Sequence, residues 1–96
     1  MNRVWLAGRL GQGPELFRTL DGVDGVRLQL HLLPGESHRV IAGPSLLARC
    51  RGLSAGDRVL VQGRLRIVPR VRGRRGLESS EIQALRITRL GSRSAP

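Results

Sequence analysis

Apolar residues recur at every second position along most of this chain, a spacing that commits it to strands rather than helices. Val4, Leu6, Gly8 and Leu10 alternate with Arg3, Trp5, Ala7 and Arg9, the pattern of a half-buried first strand. Gly11-Gln12-Gly13-Pro14 breaks it, and a short connecting stretch, Glu15 to Leu20, leads to the turn Asp21-Gly22-Val23-Asp24-Gly25. Val26, Leu28, Leu30 and Leu32 then alternate with Arg27, Gln29 and His31 in a second strand, closed by the tight connection Pro34-Gly35-Glu36. A third strand is expected from about Ser37 to Ala42. Ser45 to Leu53 is the one plausible helix, started by Pro44 or Ser45, with Leu46, Leu47 and Cys50 on one face. Val59, Val61, Leu65 and Ile67 carry a fourth strand, whose inner row Gly63 interrupts; such a glycine predicts a bulge or a barrel corner. An arginine-filled loop, about Val68 to Leu77, precedes a final strand near Ser79 to Leu90.

Five strands with one short helix between the third and fourth is the order of an all-β, five-stranded OB-fold Greek-key barrel. An SH3-like barrel is the alternative, but it lacks a full helix at that point. The chain has 96 residues, 40% of them hydrophobic, enough for one modest core. Residues 1–90 are read as that single domain and 91–96 as a disordered tail.

Composition narrows the chemistry. Seventeen basic residues, every one arginine, face seven acidic ones, for a net charge of +10. Arginine is permanently charged, forks bidentately onto phosphate and stacks on planar rings, so a polyanion is the economical partner. No apolar run approaches the roughly 20 residues of a spanning helix, and charge breaks the N-terminus too early for a signal peptide. The cytoplasm, in association with the nucleoid, is the expected location. Cys50 is the only cysteine, and His31 and His38 stand at no familiar zinc spacing from it. No metal or cofactor is expected. Seven scattered carboxylates and no nucleophile–base pattern argue for a binding protein, not an enzyme.

The candidate site residues follow from charge and position. Arg66, Arg70, Arg72, Arg74 and Arg75 put five positive charges within ten residues, in the loop between strands 4 and 5 with which OB folds grip oligonucleotides. Gly73-Arg74-Arg75-Gly76 also fits the G-x-x-G pattern of a KH domain, but that motif joins helices and this segment joins strands. Arg64, Arg58 and Arg27 fall on outward positions, and Arg64 joins the candidate set. Trp5, flanked by Arg3 and Arg9 on its face, either stacks on a base or packs at a subunit interface, with the interface favoured. Phe17 and Cys50 read as core residues and His38 as strand packing.

These residues carry a resemblance. Asn2 to Glu15, with a basic strand running into Leu10-Gly11-Gln12-Gly13-Pro14-Glu15, resembles the opening of the bacterial single-stranded DNA-binding protein family. Glu36-Ser37-His38-Arg39-Val40-Ile41 resembles that family's third strand, and Gly56-Asp57-Arg58-Val59-Leu60-Val61-Gln62-Gly63-Arg64-Leu65-Arg66 its fourth. The resemblance spans about residues 2–90 and implies DNA contacts at Arg39 and Arg3. The departures are as telling. Where the family has base-stacking aromatic rings, this chain has Ser37, Gly43 and, approximately, Arg70. The hairpin after the second strand is short, and no acidic tail ends the sequence. In these respects the chain is most similar to the short primosomal replication protein N branch. That branch implies a homodimer paired through first strands, with a tetramer left open, and replication or primosome proteins as partners.

The expected function is therefore largely sequence-independent binding of single-stranded DNA in replication, replication restart or repair, through arginine–phosphate contacts. One alternative is a degenerate OB-fold adaptor that bridges replication proteins with little or no DNA binding. A second is an RNA-binding OB-fold protein.

Overall fold

Six strand segments form where five were expected, because the stretch after Pro14 adds one. In the computed structural model, which describes residues 2–33, 35–69 and 78–91, these are β1 (Val4–Leu10), β2 (Glu15–Arg18), β3 (Asp24–Leu33), β4 (Glu36–Ala42), β5 (Arg58–Pro69) and β6 (Glu78–Gly91). The stretch after Pro14, read from sequence as a plain connection, is thus strand β2 over its first four residues. Alternation could not reveal it, because β2 buries no complete row: only Phe17 is half-buried. The helix is also shorter than expected. A 3-10 turn at Pro44–Leu46 leads into α1 (Leu47–Arg51), and the chain leaves the helix at Gly52 rather than Leu53.

The strands run in the order β1-β5-β6-β4-β3-β2, and an additional β1–β3 pairing closes the sheet into a barrel. β1 lies antiparallel along β5 from Val4↔Gly63 to Arg9↔Arg58, then reaches β3 only at Arg9↔His31 and Leu10↔Leu30. The β4–β6 pair is parallel, the crossing that gives the Greek-key path its closure. α1 lies between β4 and β5 in the chain, as in an OB fold. No helix among the described residues is long and apolar enough to cross a membrane.

Gly63 earns its place by closeness rather than by conformation. A methyl group there would strike the Gln83 carbonyl oxygen and come within 2.9 Å of the Ile82 side chain. The register shifts at this point, Gln62 pairing with Arg86 and Gly63 with Ala84, so Leu85 is the extra residue of a bulge on β6. The predicted corner is real, with the surplus residue on the partner strand.

Inward positions of all the long strands meet in one core. Val26, Leu28 and Leu30 of β3, Val40 and Ala42 of β4, Val59 and Val61 of β5, and Ile82, Ala84 and Ile87 of β6 are buried together with Leu10, Cys50 and Leu53. Each large aliphatic side chain so buried contributes about 1.5–3 kcal/mol. Phe17 is not among them. Its ring packs on Gly25 of the neighbouring strand with the Arg27 guanidinium 5.1 Å from its centre, an edge contact rather than the core position expected. Cys50 is only 1% exposed, as its helix-face position suggested, and burial pushes its thiol pKa up despite the nearby Arg49.

Candidate nucleic-acid interface

The alternation that buries Val59, Val61 and Gly63 turns Arg58, Leu60, Gln62, Arg64 and Arg66 to the outside of β5. β6 separates β5 from β4, and its outward residues link the two. Glu81 pairs in register with Arg66 on one side and Arg39 on the other, so two arginines flank one half-buried carboxylate. Gln83 stands in the same way between Arg64 and Ile41.

Asn2 extends this surface to β1. Its Nδ2 donates to the Leu65 carbonyl at 2.6 Å and its Oδ1 accepts from the Leu65 N–H at 3.1 Å, so one side chain imitates a strand pairing. Asn2 is thereby tied to Leu65 and Val4 to Gly63, which sets Arg3 opposite Arg64. Arg3, Arg64, Arg66 and Arg39 are all exposed and lie on one continuous outer strip running β1–β5–β6–β4. Gln29 of β3 adjoins Arg39 and donates to the Ser37 hydroxyl at 3.0 Å. Gln29 and Gln83 were not singled out from sequence, although their outward parity was legible.

Among the described residues none of these four arginines forms an ion pair. Glu81 is the one described carboxylate in register within the strip; Asp24, Glu15, Glu36 and Asp57 are engaged elsewhere. Asp24 is held 2.7 Å from Arg18, whose hydrogen bond and charge keep its carboxyl below the usual range. Glu15 lies 2.8 Å from Arg27. Arg27, outward as predicted, therefore spends its charge on Glu15 and its flat face on Phe17. His38 is half-buried and within 3.3 Å of Glu36, in keeping with a packing role. Asp57 is only 2% exposed; it accepts the Ser54 N–H at 2.8 Å and lies 3.7 Å from Arg89, fixing the turn ahead of β5.

Arg70, Arg72, Arg74 and Arg75 fall in the segment that joins the paired residues Pro69 and Glu78, outside the described residues. Ser37 and Gly43 are both exposed and present no ring where the family stacks bases. Trp5 is 60% exposed on the outer face of β1, opposite Gln62 and on the same face as Arg3. Beside it, β1 has no described partner on its second edge before Arg9. The strip is thus rich in fork-shaped donors and poor in aromatic platforms. It suits a chain of phosphates better than a row of bases.

Solved structures that share this architecture include two single-stranded DNA-binding proteins. The single-stranded DNA-binding protein of Plasmodium falciparum, in complex with single-stranded DNA, matches 94% of this chain and 95% of its own, with a TM-score of 0.80 and 19% identity, a likeness of fold. The wild-type single-stranded DNA-binding protein of Thermus aquaticus matches all of this chain with a TM-score of 0.77 and 31% identity. This chain spans 43% of the Thermus chain's length. No family model and no curated protein sequence matches.

Proposed function

We propose that this chain, which has the OB fold of the single-stranded DNA-binding proteins, itself binds single-stranded DNA through arginine–phosphate contacts, largely without regard to sequence. The observation that carries the reading is the unpaired strip of Arg3, Arg64, Arg66 and Arg39 across four neighbouring strands. Four fixed positive charges around the single carboxylate of Glu81, none in an ion pair among the described residues, on a chain of net charge +10, favour a polyanion. Arg70, Arg72, Arg74 and Arg75, which follow β5 in the sequence, add four more positive charges to this reading. Its role is binding rather than catalysis, in replication, replication restart or repair, as in the primosomal branch that the sequence resembles. The open edge of β1 beside an exposed Trp5 favours a homodimer paired through that strand.

One observation favours a second reading. With a single tryptophan, a single phenylalanine and no tyrosine, the chain has almost nothing to stack bases on, as an adaptor that has lost DNA binding would. Anisotropy of labelled oligo(dT) at physiological salt separates the two, because a pure adaptor gives no signal change. Replacing Arg70, Arg72, Arg74 and Arg75 together by alanine should remove most of the affinity while the circular dichroism spectrum stays the same. Undiminished binding by that variant would remove the loop from the interface.

A further inference from the structure

A second cluster of positive charge lies away from that strip, where β1 leaves β5 and joins β3. A cleft of about 530 Å³ opens there, lined by Gly8, Arg9, His31, Arg58 and Leu90 among others, with no carboxylate among the described residues of its wall. Arg9 and Arg58 face each other directly across β1 and β5, and His31 is the residue opposite Arg9 on β3. Like charges set opposite one another on adjacent strands destabilise a sheet unless something neutralises them. Neither arginine has an ion-pair partner among the described residues. Asp57, next to Arg58 in the chain, is turned inward onto the Ser54 N–H. Arg9 is not loose either. Its Nη1 donates to the Gly56 carbonyl at 3.0 Å, which steadies the guanidinium and leaves its other N–H groups free.

We propose that this cleft is a second phosphate site, and that a single strand lying on the Arg39 face crosses the β3–β1 seam to reach it. The register supplies the path. Outward residues run from Arg39 to Gln29 across β4 and β3, along β3 to His31, across to Arg9 and on to Arg58. The ligand is a phosphodiester, whose paired oxygens match the arginine forks. The inference rests on the single-strand reading above, but it places a contact on the other side of β1 from Arg39.

The test compares oligo(dT) at the two ends of the range that an OB fold occupies, about 4 and about 16 nucleotides. In the double variant Arg9→Gln, Arg58→Gln, affinity for the long strand should fall. Its slope of log K against log salt should flatten by about 1.4, two phosphates at about 0.7 each. Affinity for the short strand, held at Arg39, should not change. Arg58→Glu alone, which sets a carboxylate opposite Arg9, should also weaken the long strand, with the circular dichroism spectrum unaltered. Unchanged long-strand binding in both variants, with the unmodified chain binding both lengths, would overturn the cleft and leave the function standing. Equal losses on both lengths would reduce it to a general charge effect and also overturn it. Failure of the unmodified chain to bind either strand would overturn both proposals.

Discussion

At Gly63 the absence of one carbon decides whether β5 and β6 can lie together. The obstacle to a side chain there is a backbone carbonyl, that of Gln83, which cannot rotate away as a flexible side chain would. Gly63→Val should therefore cost about 3 kcal/mol, the upper end of ordinary overpacking penalties, read as a lower midpoint in denaturant unfolding. A midpoint unchanged within error would mean that β6 bends elsewhere. Gly63 was legible in the sequence because it interrupts an apolar row. Phe17 and Arg27 were not. An aromatic residue between polar neighbours reads as core, and only the pairing Phe17↔Gly25 reveals an edge site that Arg27 covers. Asp57 shows the same limit: an acid in a Gly-Asp turn gives no sign that it will be buried against a backbone N–H.

Among the elements, β1, β3 and β5 were readable from alternation, although Gly63 interrupts the β5 row and Leu65 and Ile67 beyond it, expected to face inward, are exposed. β2 was not, since it gains its strand geometry from β3 rather than from a buried row of its own. The helix was overextended because Leu53 continues the apolar spacing; it enters the core from a turn beyond Gly52. The arginine strip was half legible. Outward parity was visible, but the neighbours of Arg39 and Arg66 depend on a parallel β4–β6 pairing that no local pattern encodes. β1 also carries the exposed Trp5. As the only tryptophan, it reports on itself. If β1 pairs with a second copy, its emission should shift to the blue as protein concentration rises through the dimer's dissociation range, while added oligo(dT) quenches it little. Strong quenching by oligo(dT) at constant concentration would instead put the ring under a base.

For the molecule as a whole, charge sets the terms. A barrel of 96 residues with a net charge of +10 repels itself, and a bound polyanion relieves that cost. The described barrel fixes Arg3, Arg39, Arg64 and Arg66 on one strip, so binding should release one set of counterions per phosphate held rather than depend on the identity of the base. With few rings to stack on, little of the affinity should survive screening. The most direct measurement is oligo(dT) binding followed by anisotropy in a salt titration from about 50 to 200 mM. Tight binding at low salt should weaken linearly in log–log form, with a slope near −2.8 if four phosphates are held and steeper as the loop arginines add theirs, at about 0.7 per phosphate. An affinity that stays flat across that range, or no binding at its low end, would contradict the account.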